Sequence, residues 1–390
     1  MTSSLTPIDY PGRVRRMVKA LADNGLDAYI GTRPGILHYF VGAFMPWSGA
    51  VIISASGDAC VYYWAMDSER IRAEAGWNIP VHNWGVEEPG FIEVLARHCK
   101  DNGLAGGRIG VDLAIPGSPR AAPGLLSAND YQDLAAQLPG ATLANGCGAA
   151  NSLWLVKEAA EIERMRLAGV AAAAGLEAGI AALRPGVTEN AVAGEVERAI
   201  RLKGSTWAWS VTGGTEVGSG ARTAFYRGIS QQASEKTIQP GEIVIIDLHP
   251  MVELYLADLG VPVMFGKASA EQRHLMDTWQ EVVDFMLDNL KPDRPIAAVC
   301  KEAFSIFARR GLEKFGLPMF GHGLGTCARQ RPFLHPATED TAVEGMTFAL
   351  GTHLYKPGVG GLRLEYPAVI TKTGAEPLCP FPAKAQCVGV

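Results

Sequence analysis

The stretch EIVIIDLHPMVELYLADLGVPVMF, residues 242–265, decides the fold of the second half of the chain. Its beginning is an apolar run typical of a buried strand, and ELYLADLGVPVMF predicts a partner strand. Asp247 and Asp258 fall at mid-strand positions among Ile, Val and Leu, where an uncompensated carboxylate is unfavourable. The compensation is either a cation or an arginine such as Arg222 or Arg363.

A third acid and a histidine join this pair further along the chain. GMTFALGTHLY and GLRLEYPAVIT predict two strands separated by a KPGVGG turn, and Glu365 lies in the second strand. His322 lies in GHGLGT, where the glycines favour a turn from which the imidazole projects. Three inward acids and one imidazole form a donor set that suits Mn, Fe, Co or Zn.

The length of 390 residues favours two domains, because single hydrophobic cores stop growing near 250 to 300 residues. The first half alternates helical patterns, such as 10–25, with short apolar strands such as GAVIIS and DACVYYW. This alternation predicts the α/β class. PGATLANGCGAAN at 139–151 resembles a connector, so we expect domains at 1–150 and 151–390.

The second domain begins with helical patterns. One long helix is predicted over 157–183, and Thr188 suits the N-cap of a second helix that runs to about 203. Two further helices are predicted over 270–290 and 297–315.

Composition excludes several classes of protein. The formal charge is -5 and the basic residues form no runs, so no nucleic-acid partner is expected. Seven cysteines without a CxxC pair, and an N-terminus without an apolar core, predict a reduced cytoplasmic protein. The longest apolar stretch, 171–182, is too short and too interrupted for a membrane segment. A small-molecule or peptide partner fits best.

Four ordered motifs carry a resemblance to a known family: IDLHPMVELYLADLG, GHGLG, EGMTF and GVGGLRLEYPAVITKTG. In this order and at these separations they resemble the pita-bread metallopeptidase family M24, which includes methionine aminopeptidase, Xaa-Pro dipeptidase and creatinase. YPGRVRRMVKALADNGLDAYIGT and ILHYFVGAF are similar to the N-terminal domain of the creatinase and prolidase branch. The resemblance implies a creatinase-type domain at 1–150, a pita-bread catalytic domain at 151–390, and a homodimer.

The resemblance also implies a metal site. Metallopeptidase members hold two divalent ions with two Asp, one His and two Glu. Carried over, the ligands are Asp247, Asp258, His322 and the bridging Glu365, whereas the remaining Glu falls on Gly351. One or two ions of Mn, Fe, Co or Zn are therefore expected, or none if the site is creatinase-like.

Two further positions depart from the peptidase pattern. The second histidine of the family falls on Arg329, with Gln330 beside it, and the substrate-facing histidine falls on Phe225 or Tyr226. Guanidinium groups at Arg329 and Arg331 suit a substrate carboxylate, although a solvated loop or a dimer contact is an equal alternative.

Two other histidines each lie two residues after a position of the predicted metal site, and on a strand this spacing places both side chains on the same face. His353 follows Gly351. Its side chain either reaches the space of the missing carboxylate, or it is an ordinary polar residue near a turn. His249 follows Asp247, and we expect it to line the site without binding the ion.

The first hypothesis is an M24-type hydrolase that cleaves a C–N bond in a small carboxylate-bearing molecule or an Xaa-Pro-type dipeptide. The ion would act as a Lewis acid and activate water. One alternative is a creatinase-like or lyase-like enzyme acting on a non-peptide metabolite, with His322 as proton carrier. Another is a non-catalytic pita-bread binding protein. The candidate catalytic residues are His322, His353 and Arg329, and the candidate substrate contacts are Tyr226, His249 and Arg331.

Overall fold

The computed structural model describes residues 5–114, 124–208, 215–225 and 231–390. The chain divides into two compact units, Thr6–Trp154 and Leu155–Val390. Both combine helices with a sheet, which confirms the predicted α/β class.

The N-terminal unit contains a mixed sheet with the strand order β4-β3-β2-β1-β5-β6. β1 pairs antiparallel with β2 and parallel with β5. The predicted first helix is confirmed: Asp9 caps it by accepting the Gly12 N–H at 2.8 Å. The elements are α1 (Tyr10–Asp23), β1 (Ala28–Gly31), α2 (Pro34–Val41), β2 (Gly49–Ser54), β3 (Ala59–Trp64), α3 (Ser68–Glu74), β4 (Val81–Trp84), α4 (Phe91–Asp101), β5 (Arg108–Val111), α5 (Ala128–Gln137), β6 (Thr142–Asn145) and α6 (Cys147–Leu153).

The predicted connector at 139–151 is wrong, because it contains β6 and most of α6. β6 pairs in parallel with β5. Gly146 is required by packing: a Cβ there would lie 2.8 Å from Cδ2 of Tyr29 and 2.9 Å from the Gly110 carbonyl carbon. The small residues therefore permit close contact within the core.

The C-terminal unit has a large sheet with the order β14-β13-β15-β16-β12-β9-β8, with β17 on β16 and β18 on β12. A small sheet has the order β11-β10-β7. The elements are α7 (Ala159–Ala181), α8 (Glu189–Leu202), β7 (Trp207–Ala208), β8 (Glu216–Ser219), β9 (Ile243–Leu248), β10 (Pro250–Val252), β11 (Tyr255–Leu256), β12 (Leu259–Phe265), α9 (Ala270–Asn289), α10 (Ile296–Arg309), β13 (Gly321–Gly323), β14 (Gln330–Phe333), β15 (Thr347–Lys356), β16 (Gly360–Ile370), β17 (Ala375–Pro377) and β18 (Gln386–Val388), with single 3-10 turns at Gly220–Ala224 and Glu313–Phe315.

The helix predictions for this unit are confirmed, with the last one ending earlier than expected. Thr188 caps α8 by accepting the Ala191 N–H at 3.2 Å. α10 ends at Arg309, and a separate 3-10 turn covers Glu313–Phe315. Because α9 and α10 bury apolar faces that include Trp279 and Phe307, they contribute to the core of this unit.

Two local predictions are wrong. ELYLADLGVPVMF is not one strand: Glu253 and Leu254 turn the chain with positive φ angles of 51° and 69°, and Asp258 lies in the break between β11 and β12. His322 lies in strand β13 and not in a turn. Gly321 permits this strand to pair closely, because a Cβ there would lie 2.0 Å from the Ala349 carbonyl oxygen.

None of the helices in the described part of the chain combines the length and the apolar character that a membrane crossing requires.

Candidate metal centre

The registers of the large sheet place a row of polar residues across five neighbouring strands. Glu216 pairs with Asp247, Asp247 with Gly260, Gly260 with Glu365, and Glu365 with Gly351. Directly opposite residues of antiparallel strands project from the same face of a sheet. Three buried acids therefore share one face, and the two glycines leave room for neighbouring side chains between and beside them.

Gly260 makes room for the carboxylate of Asp247. A Cβ at Gly260 would lie 2.7 Å from Oδ1 of Asp247, which is closer than a normal contact. The absence of a side chain at this position therefore permits the Asp247 carboxylate to lie there.

Arg363 compensates part of the negative charge of the row. It lies two residues before Glu365 on β16, and its guanidinium contacts Asp247 and lies 2.7 Å from Oε2 of Glu216. Its Nε lies 3.6 Å from Oε1 of Glu365. Of the two arginines that the sequence offers as partners for the aspartates, Arg363 pairs with Asp247. Arg222 instead pairs with Glu189 at 3.0 Å.

Glu216 was missed by the sequence reasoning. It lies in the glycine-rich GGTEVGSG, where local pattern gives no sign of a buried acid. The only available signal would have been the pairing of its strand with the strand of Asp247, which the sequence does not provide.

Two overlapping groups of side chains meet the spacing needed to hold a cation. Asp247, His249 and Asp258 form the first, and Asp258, His322 and Glu365 form the second, with candidate ligand atoms within 4.8 Å of one another in each. Nε2 of His249 lies 3.1 Å from Oδ1 of Asp258 and 3.7 Å from Oδ2 of Asp247. Nε2 of His322 lies 3.6 Å from Oδ2 of Asp258.

Burial and charge shift the proton affinities within this centre. Burial raises the pKa of Asp247 to about 8, even though Arg363 and His249 oppose this effect. Burial would lower the pKa of His249, but Asp258 and Asp247 outweigh burial and raise it to about 9. The pKa of Asp258 is lowered, because His249 and His322 overcome the opposite effect of burial.

The donor set fits a divalent cation. Oδ1 of Asp247 and Oε2 of Glu365 are buried and accept no hydrogen bond from the residues that the structure describes. Four buried carboxylates lie in this centre: those of Glu216, Asp247 and Glu365 lie beside the Arg363 guanidinium, whereas that of Asp258 contacts His249 and His322. A buried excess of negative charge of this kind is stabilised by a bound metal ion.

His353 fills the space next to Gly351. A Cβ on Gly351 would lie 2.8 Å from Cε1 of His353. Nδ1 of the ring lies 3.2 Å from the Met319 carbonyl oxygen, and Nε2 lies 3.5 Å from Oε1 of Glu365. The imidazole therefore contacts Glu365 from the side on which a ligand at position 351 would stand.

The predicted substrate contacts fall in different places. Arg329 is half-buried and directly precedes Gln330, which pairs with Gly323, the neighbour of His322. Arg331 forms an ion pair with Asp340 at 2.8 Å. Phe225 is 55% exposed, and Tyr226 lies outside the described residues.

The fold and the site define a two-domain α/β protein with a buried acid and histidine centre suited to divalent cations. Residues 163–372 match the model of metallopeptidase family M24, and residues 13–153 match that of the creatinase/prolidase N-terminal domain. The chain belongs to metallopeptidase family M24, since this match covers more than half of its length.

Similar proteins match this chain over nearly its whole length. A Xaa-Pro dipeptidase of Lactobacillus delbrueckii subsp. lactis is 26% identical over 92% of this chain and 94% of its own length. The dipeptidase PepE of Mycobacterium ulcerans has a TM-score of 0.82 and 25% identity, covering 99% of this chain and 100% of its own. The prolidase of Pyrococcus horikoshii OT3 has the same fold, with a TM-score of 0.82 and 22% identity over 95% of this chain and 99% of its own.

Proposed function

We propose that the protein is a metal-dependent hydrolase that cleaves the C–N bond of Xaa-Pro dipeptides. The observation that carries this proposal is the pair of cation-competent groups that share Asp258, buried in a centre with excess negative charge. The similar proteins named Xaa-Pro dipeptidase support the choice of substrate. When bound, the ion would supply Lewis acidity and activate water.

The residues of the site have three roles in this proposal: to bind the cation, to orient its ligands and to bind the substrate. Asp247, Asp258, His322 and Glu365 would hold the cation, and Arg363 would fix the orientation of the Asp247 carboxylate. All lie within 151–390, which we propose as the catalytic domain, with 1–150 as a separate domain. Arg329, half-buried near His322, would bind the substrate carboxylate through its guanidinium fork.

The test compares metal content and turnover in the full-length protein purified without chelator. Asp258→Asn is expected to abolish both bound metal and hydrolysis of Leu-Pro, because Asp258 belongs to both groups. Asp277→Asn, an exposed acid on α9, is the matched control and should retain both. Retained turnover in Asp258→Asn, or no turnover of any Xaa-Pro dipeptide by the metal-loaded protein, would overturn the proposal.

A second candidate is a creatinase-like or lyase-like enzyme that acts on a non-peptide metabolite. The observations that favour it are Gly351 and Arg329, which stand where the resemblance predicts a carboxylate ligand and a histidine. Turnover of guanidino or betaine-like compounds, with none of Leu-Pro, would support this candidate. Turnover of Leu-Pro alone would reject it.

We also propose that the protein is a cytoplasmic homodimer. All seven cysteines are free, which supports a reducing compartment. The resemblance to the creatinase and prolidase branch supports the dimer. Light scattering coupled to gel filtration should give twice the chain mass of 41.5 kDa, and a mass of 41.5 kDa would contradict the dimer.

A further inference from the structure

We infer that His249 binds a divalent cation together with Asp247 and Asp258, so that each cation position in the centre has one histidine ligand. The inference rests on the proposed function in that it concerns the same site. It adds as a ligand a residue that the sequence alone predicts only to line the site.

Local sequence explains how His249 reaches this place. Asp247 is the fifth residue of β9, and His249 follows the last residue of that strand. Because Pro250 comes next, the backbone of His249 is restricted to extended conformations. The alternation of the strand therefore continues, and the imidazole projects from the same face as the Asp247 carboxylate.

Asp258 lies between two imidazoles, one at each oxygen. Its Oδ1 faces Nε2 of His249 at 3.1 Å, and its Oδ2 faces Nε2 of His322 at 3.6 Å. Ligands that share one cation at bond lengths of about 2.0–2.2 Å lie at most about 4 Å apart. The carboxylate can thus give one oxygen to each of two cations, each of which is also bound by a histidine.

Ligand number and charge support this arrangement. The resemblance predicts five ligands, of which Gly351 removes one. His249 restores the number to five, now as two Asp, two His and one Glu. Because a neutral imidazole replaces a carboxylate, the centre carries one negative charge fewer and favours Co and Zn over Mn relative to a site with two glutamates.

His353 does not fulfil the same role. It contacts Glu365, and its Nδ1 lies near the Met319 carbonyl oxygen, but it belongs to neither cation-competent group among the described residues. Its contacts are those of a positioning residue for the Glu365 carboxylate. His249, by contrast, contacts two acids of the centre at once.

The decisive experiment measures metal binding without relying on turnover. The chelator-stripped full chain is titrated with Co²⁺, and bound metal is followed by visible absorption and elemental analysis. Wild type should bind two ions, and His249→Ala should weaken one of them by at least about 100-fold. His249→Gln, which retains most of the side-chain volume, should show the same loss and replaces His249→Ala in the test if the alanine variant folds poorly.

Two further variants identify which position is affected. His322→Ala should weaken the other ion, and His335→Ala, in a loop outside both groups, should retain two. Pulsed EPR of the Mn²⁺-loaded protein with ¹⁵N-histidine should show one imidazole nitrogen coupled to the ion at each position in wild type, and His249→Gln should lose the coupling at one position.

The inference is overturned if His249→Ala and His249→Gln bind both ions with wild-type affinity. It is also overturned if these variants bind metal more tightly, which would mean that an imidazolium at His249 itself replaces the cation. Failure of the proposed function is separate. A protein that loses one ion in His249→Gln but hydrolyses no Xaa-Pro dipeptide rejects the function and supports the inference.

Discussion

The packing of His353 beside Gly351 can be measured with a double-mutant cycle. Gly351→Glu introduces the carboxylate that the resemblance predicts at this position. Its Cβ would lie 2.8 Å from Cε1 of His353, so the buried ring must move. His353→Ala removes the ring and leaves a space that a glutamate side chain can fill.

The expected magnitude follows from the two contacts that are disturbed. Forcing a side chain into a packed interior costs about 1–3 kcal/mol. Displacing His353 also loses its interaction with the Met319 carbonyl oxygen, which contributes about 1 kcal/mol. Gly351→Glu should therefore destabilise the metal-free protein by at least about 2–4 kcal/mol, because repulsion between the new carboxylate and Glu365 adds to this cost. In the His353→Ala background the destabilisation should be smaller by about 1–3 kcal/mol.

Urea unfolding in EDTA, followed by circular dichroism, gives the four free energies of unfolding that the cycle requires. A parallel cycle with His274→Ala, an exposed residue of α9, should be additive within about 0.5 kcal/mol. Equal destabilisation by Gly351→Glu in the presence and absence of His353 would refute the idea that the ring occupies this space. Added Co²⁺ at 100 times its Kd should stabilise the double variant by about 2.7 kcal/mol for each bound ion.

Three further predictions concern the acids of the row. Arg363→Met leaves the buried carboxylates of Glu216 and Asp247 without their guanidinium partner. The free energy of unfolding in EDTA should therefore fall by about 3–5 kcal/mol. An unchanged urea midpoint would contradict this prediction. In chelated protein, the raised pKa values of Asp247, about 8, and His249, about 9, mean that the folded state holds protons that the unfolded state has released. Stability should therefore fall as pH rises from 6.5 to 8, where these two losses outweigh the opposite effect of Lys157, whose pKa burial lowers to about 7. A urea midpoint that rises over this range would refute the assignment. Gly260→Ala should destabilise the protein by about 1–3 kcal/mol, because the new Cβ would lie 2.7 Å from Oδ1 of Asp247. The control Gly194→Ala, which has open space around it in α8, should stabilise the protein by about 0.5–1 kcal/mol. Equal effects of the two substitutions on the free energy of unfolding would reject the packing argument.

Elements with local signals could be predicted from the sequence. The amphipathic spacing of α1 and the Thr188 cap of α8 depend on residues within one or two helical turns. The buried strand around Asp247 was equally visible as an apolar run. The break before Asp258 was not, because Glu253 and Leu254 adopt positive φ angles for which neither residue type has a preference.

Only part of the candidate site could be predicted from the sequence. Asp247, Asp258, His322 and Glu365 were identified from motifs, and the structure brings them together. Glu216 and the pairing of Arg363 depend on the register between strands that are distant in sequence. Register is set by the packing of whole strands and by turn geometry, so no local pattern reveals it.

The register also gives a physical reason for the glycine at position 351. Directly opposite residues in an antiparallel pair have Cβ atoms about 4.5–5.5 Å apart, and like charges at that distance are destabilising. A glutamate at 351 would stand directly opposite Glu365 and would extend the row of acids by one. With glycine there, the imidazole of His353 contacts Glu365 in its place. The exchange removes one repulsive pair from a buried sheet face. In our proposal the replacement ligand comes from outside the row, where His249 contacts both aspartates.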